Sequence, residues 1–98
     1  VSAAVTVADN PARHRYEALV DGRVAGFTTY RRRPGRITFV HTEVVPEAAG
    51  QGVGGAIART ALDAARAEGL TVVAACPFVA GWIERHPGYA DLLAAPAR

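Results

Sequence analysis

Cys76, Glu43, His41 and His86 are the side chains of this sequence best suited to move a proton or carry an acyl group. His41 and Glu43 stand two apart in a β-branched stretch, which puts both on one face of a strand. Either suits a base that takes a proton from an ammonium, directly or through a water. The same pair equally suits a polar contact across a half-buried sheet. Cys76 comes just before Pro77, a residue favoured in the first turn of a helix. The free N–H groups and dipole of such a place favour a thiolate, which can accept an acyl group and pass it on. A lone cysteine serves just as well as a small buried hydrophobe. His86 closes the same segment, where a helix C-terminus favours a protonated imidazole; it reads as a cap first and a catalytic group second.

These side chains flank a glycine-rich stretch, Val44–Val45–Pro46–Glu47–Ala48–Ala49–Gly50–Gln51–Gly52–Val53–Gly54–Gly55–Ala56. A strand runs into a short loop, and glycines then open an Ala-rich helix. The first N–H groups of a helix have no intrahelical partner and carry the positive end of its dipole. Such a place suits a phosphate or pyrophosphate. A P-loop would need Lys and then Ser or Thr after the last glycine, where Ala56 and Ile57 stand. Gly50, Gly52 and Gly55 satisfy the dinucleotide spacing, but Pro46–Ala49 intervene after the strand and no acidic residue follows near position 75.

The elements that position these groups follow from periodicity. Ala3–Ala8, His14–Val20, Val24–Tyr30 and Arg36–Val45 read as four strands. Turns are expected at Asp9–Asn10–Pro11, Asp21–Gly22 and Arg33–Pro34–Gly35. Tyr16, Ala18 and Val20 share a face. Gly52–Glu68 reads as a helix with Val53, Ile57, Ala61 and Ala64 or Ala65 inward. Arg59, Asp63, Leu62 and Arg66 give its outer face a mixed character, and Gly69 stops it. Leu70–Ala75 reads as a buried strand parallel to the fourth. A second helix from Pro77 places Phe78, Val79, Trp82, Ile83 and His86 on an inner stripe and ends at Pro87–Gly88. Tyr89–Leu93 reads as a turn packed back on the core. The expectation is an α+β domain with a mixed sheet: antiparallel strands one to four, a helix, a parallel fifth strand and a helix.

Composition narrows the classes. Ninety-eight residues suit a single domain over 1–98, and the 50% apolar content is that of a soluble chain. No run approaches the roughly 20 apolar residues of a membrane span, and no signal-like segment opens the sequence, so a cytoplasmic protein is expected. All 11 basic residues are Arg and the net charge is only +2. Arg31–Arg32–Arg33 with Arg36 reads as a solvated turn, with contact to phosphate groups or an acidic partner as the alternative. No aromatic-basic pattern accompanies it, so no nucleic-acid partner is expected. One cysteine and three scattered histidines offer no disulfide and no zinc spacing. An exposed edge strand allows a monomer or a homodimer.

The order strand, Val44–Val45–Pro46, loop, Gln51–Gly52–Val53–Gly54–Gly55, helix, strand, helix resembles the acyl-CoA-binding core of the GNAT superfamily of N-acetyltransferases. His41–Thr42–Glu43–Val44, Gly50–Gln51–Gly52–Val53–Gly54, Cys76–Pro77–Phe78–Val79 and His86–Pro87 look like its small single-domain members. The likeness covers roughly residues 13–93. It implies that Val44 and Val45 meet the pantetheine of acetyl-CoA and that Gly50, Gln51, Gly52, Val53, Gly54 and Gly55 hold its pyrophosphate. It further implies that His41 and Glu43 lie near the thioester, and that Tyr89 occupies a region where the family often places an acid. The implied activity is acetyl transfer from acetyl-CoA to an amine, with Cys76 as acyl acceptor or reactive neighbour. A non-catalytic module that binds CoA or acyl-CoA, as a sensor or protein partner, is the alternative. Two features depart from the family. Ala49 stands where Arg or Gln is usual, and the two helices that normally join the first two strands are missing.

Overall fold

The computed structural model describes residues 4–48 and 50–94. Five strands form one sheet in the order β1-β2-β3-β4-β5: Val5–Asn10, Arg15–Val20, Arg23–Arg33, Arg36–Val44 and Thr71–Ala74. Neighbours are antiparallel up to β4, and β5 lies parallel to β4. Helix α1 (Val53–Ala67) joins β4 to β5, and α2 (Pro77–Arg85) follows β5. The mixed α+β sheet is therefore as expected, with boundaries moved by a few residues. Ala3, expected in the first strand, lies outside the described residues.

Turn chemistry sets the meander. Asp21 (φ 52°) and Gly22 (φ 77°) are both left-handed, the conformation that a two-residue turn between twisted strands requires. Asp9 and Asn10, expected in a turn, instead extend β1, and the turn proper is a short 3-10 segment at Pro11–Arg13. His14, expected at the start of the second strand, has φ 52° and sits in that turn. Strand β3 runs on to Arg33, so Arg31–Arg33 belong to a strand rather than to a turn. There Arg32 donates to Glu68 at 3.0 Å and lies over the Tyr30 ring.

Two bulges shape the sheet. Leu19 pairs with Val24 but Ala18 with Gly26, leaving Ala25 as an extra residue on β3. Thr29 pairs with His41 but Tyr30 with Phe39, leaving Val40 as an extra residue on β4. Such insertions bend the strand that carries them. Alternation beyond the bulge then puts Thr42 on the buried face and His41 and Glu43 on the other.

The buried face holds Tyr16, Ala18, Thr28, Tyr30, Ile37 and Phe39. Against it α1 packs Val53, Ile57, Ala58, Ala61, Leu62 and Ala65. Each fully buried Val, Ile or Leu side chain contributes about 1.5–3 kcal/mol. Leu62 is fully buried, so the outer face of α1 is more polar than its spacing to Arg66 suggested. Gly26 lets the start of α1 come close: a Cβ there would lie 2.8 Å from the Glu43 carbonyl oxygen and 3.1 Å from Val53. From α2, Val79, Trp82 and Ile83 are buried, whereas Phe78 is 36% exposed and not part of the inner stripe. Its place is over α1 instead. Beyond α2, Pro87–Leu92 forms a 3-10 segment that buries Leu92, and Arg66 holds it through two bonds of 2.9 Å to Asp91.

Candidate acyl-CoA site

Strands β4 and β5 run side by side only as far as Phe39↔Ala74. One further bond closes the pairing, Cys76 N–H to the Phe39 carbonyl at 2.9 Å. The bulge at Val40 bends β4 at this level, while β5 ends and turns into α2. From Val40 to Val44 the edge of β4 that faced β5 has no strand beside it among the described residues. The two strands thus fork, and an extended ligand can lie along the open edge as an added strand would.

The open edge leads to the start of α1. Gly50 (φ 81°) and Gly52 (φ 77°) take left-handed conformations with nothing within 4 Å of a would-be Cβ. The N-cap is Gly52, no side chain caps the helix, and its first turn holds no acidic residue. The N–H groups of Val53, Gly54 and Gly55 therefore lack intrahelical partners. A groove of about 400 Å³ opens over them, lined also by Val44, Phe78, Trp82, Arg85 and His86. Bare amides, a helix dipole and the Arg85 guanidinium make a donor set suited to a pyrophosphate. The position of Ala49 lies outside the described residues, so the family's usual side chain there has no structural counterpart to compare.

Gly54 also has a packing role that the phosphate argument missed. A Cβ on Gly54 would lie 2.6 Å from Phe78 Cζ, and one on Gly55 would lie 3.6 Å from Trp82 Nε1. Gly54 therefore lets α2 lie close against the first turn of α1, whereas the Gly55 distance is an ordinary contact. Of the groove residues, sequence reasoning gave Phe78 and Trp82 to the inner stripe of the second helix and left Arg85 unassigned. Only the spacing of Phe78, Trp82 and Arg85 along one helix face hinted at a shared surface.

The candidate proton-handling and acyl-handling groups fall in three places. His41 Nε2 and Glu43 Oε2 are 3.1 Å apart, with side chains 58% and 62% exposed. They stand beside Phe27, whose ring lies 6.4 Å from that of His41 and under the Arg15 guanidinium at 4.4 Å. Cys76 is the N-cap of α2 and is 3% exposed. Its thiol donates to Thr42 Oγ1 at 3.2 Å, and the Thr42 hydroxyl donates to Thr28 Oγ1 at 2.9 Å. Because Thr42 points to the opposite face from its neighbours in sequence, the structure brings His41 and Glu43 together but keeps Cys76 on the other side of β4.

His86 is the C-cap of α2 and belongs to the groove over the glycines. Its ring stacks on Trp82 at 3.8 Å, and Nδ1 lies 2.8 Å from the Trp82 carbonyl oxygen. A carbonyl only accepts, so Nδ1 carries the proton and Nε2 is left free. Tyr89 is tied to α1: its hydroxyl donates to Asp63 at 2.7 Å, which pushes the phenol's pKa up. Among the described residues no cluster of His, Cys, Asp and Glu could hold a metal ion, and no helix is long and apolar enough to cross a membrane.

The fold and site define a class. The sequence pattern of the GCN5-related N-acetyl-transferase family matches residues 15–92, and the chain belongs to that family. No curated protein matches it in sequence. A GCN5-like protein from Staphylococcus aureus, solved by NMR in solution, shares the fold with a TM-score of 0.71 at 23% identity. The match covers 95% of this chain and 91% of that one.

Proposed function

We propose that this chain is an acetyl-CoA-dependent N-acetyltransferase that transfers acetyl to an amine acceptor, its residues acting as one acyl-CoA-binding domain. The observation that carries this reading is the fork: β4 parts from β5 at Phe39 and its free edge leads to the bare amides of α1. Val44 and Val45 would flank the pantetheine, and Gly50–Gly55 with Arg85 would hold the pyrophosphate. Bound there, acetyl-CoA would supply a thioester carbon for the amine nitrogen; a C–N bond forms, the C–S bond breaks, and the thiolate leaves with the second proton that the acylated nitrogen sheds. His41 and Glu43 take the proton that the ammonium must lose before its nitrogen can attack. His86 holds the Trp82 wall of the groove.

Direct transfer fits better than a route through Cys76. The thiol is 3% exposed and already donates to Thr42, on the far side of β4 from the His41–Glu43 pair. One observation favours the covalent route: Cys76 caps α2 at the vertex of the fork, beside first-turn amides that would stabilise a thiolate. A different observation favours a non-catalytic CoA-binding module: His41 and Glu43 are more than half exposed, and only the short turn Pro11–His14 joins β1 to β2. Release of free CoA thiol from acetyl-CoA, with and without a primary amine, separates enzyme from module. For the enzyme, His41→Ala with Glu43→Gln lowers amine-dependent turnover by about 100-fold or more. A binding module retains acetyl-CoA affinity and releases no thiol.

A further inference from the structure

The face of the sheet that carries Glu43 holds a second hollow, separate from the groove over α1. Its volume is about 340 Å³, and Val24, Phe27, Val45 and Pro46 give it apolar walls. Val24 is 40% exposed, so its apolar side chain is accessible to a molecule in the hollow. Two charged side chains reach this hollow, Glu43 and Arg15. Arg15 is already committed: its Nε donates to Glu17 at 2.6 Å and its guanidinium lies on the Phe27 ring. The Glu43 side chain is 62% exposed, and among the described residues its one ion-pair partner is His41 at 3.1 Å. The hollow therefore presents apolar walls and one available carboxylate, complementary to a cation on an apolar stem. Val44 lines both this hollow and the groove over the glycines, so the two are neighbours across β4. A second depression of about 290 Å³ shares Val24 and Val45 and adds Val20, Ala25 and Ala48, together with Arg23, Glu47 and Gln51.

From this we infer the acceptor class: a small primary amine on an apolar stem, such as an arylalkylamine. Its ammonium lies at Glu43 and its stem between Val24, Phe27, Val45 and Pro46. The inference rests on the transferase reading for its meaning, but it makes a binding claim of its own. Arg15, held flat on Phe27, forms the end wall, so a stem grows past Val24 and Val45 rather than past Phe27. Val24 and Phe27 are specificity residues in this account, and Glu43 both anchors the ammonium and receives its proton.

Phenethylamine, phenethyl alcohol, ethanolamine and a lysine-containing peptide are titrated into the full chain, with and without CoA, while backbone amide shifts are recorded. Phenethylamine is expected to give saturable shifts at Val24, Phe27 and Val45. The alcohol, which lacks the charge, and ethanolamine, which lacks the stem, should each bind about 10-fold or more weakly. Glu43→Gln should bring phenethylamine down to the affinity of the alcohol, and Val24→Ser should weaken the amine several-fold. Equal affinity for amine and alcohol overturns the inference. So does binding of the peptide alone, or an absence of shifts at these residues with CoA bound. Acetyl-CoA titrated into the same sample reads the glycine loop independently. If the loop fails to respond while phenethylamine binds, the transferase reading falls and the amine site stands.

Discussion

The Cys76 thiol donates to the Thr42 hydroxyl across 3.2 Å, and this bond ties the N-cap of α2 to β4 just beyond the last β4–β5 pair. It holds the vertex of the fork in place from the buried side, while His41 and Glu43 occupy the opposite side. Cys76→Ala removes the S–H donor but leaves the Thr42–Thr28 bond intact. The expected cost is about 1 kcal/mol of stability, as for one modest hydrogen bond. Turnover with acetyl-CoA and an amine should stay within about threefold of the parent, well under the 100-fold or more that loss of a proton-transfer group costs. Loss of all turnover with cofactor affinity unchanged would instead identify Cys76 as the acyl acceptor.

Phe78 and Gly54 make a second coupled pair. Gly→Ala in a helix ordinarily gains up to about 1 kcal/mol. Here the new methyl would meet Phe78 Cζ at 2.6 Å, and overpacking costs about 1–3 kcal/mol. Gly54→Ala should therefore destabilise the parent chain in urea denaturation. In a Phe78→Ala background the clash is gone, and the same substitution should stabilise. A reversal of sign between the two backgrounds is the expected result.

Alkaline pH should weaken the fold through its tyrosines. Burial, reinforced by Asp9, raises the pKa of Tyr16 and of Tyr30; the Tyr30 hydroxyl also donates to Asp9 at 2.6 Å. A group with a raised folded pKa contributes fully below its unfolded value, and that contribution is lost as pH rises through the folded one. The urea midpoint should thus hold through mildly alkaline pH and fall above about pH 10. Tyr30→Phe, lacking the ionisable hydroxyl, should show a shallower fall. The midpoint and tyrosinate absorbance, followed together across this range, check both statements.

Most of the architecture could be read from local rules. Asp21–Gly22 specified its turn through two left-handed positions, Gly69 ended α1, and the change of period at Gly52 marked the step from strands to helix. Resemblance to the GNAT superfamily carried the cofactor expectation, and the family pattern over residues 15–92 bears out the family itself. The bulge at Val40 was not legible, because an extra residue leaves no mark on a β-branched run. That one residue decides which of His41, Thr42 and Glu43 share a face with Cys76. Strict alternation could place His41 beside Glu43 but could not say on which side of the sheet they stand. The packing of Phe78 on Gly54 was hidden for a related reason, since it joins elements brought together only by the tertiary fold. Arg85 and the hollow beside Glu43 likewise depend on that fold rather than on neighbouring residues.

The most direct test of the central claim is a backbone amide titration of the chain with acetyl-CoA. The account predicts saturable shifts concentrated at Val44, Val45 and Gly50–Gly55, with smaller ones at Cys76, Phe78 and Arg85 around the fork and groove. An unchanged spectrum at millimolar acetyl-CoA, or shifts confined to residues away from β4 and the start of α1, would contradict it.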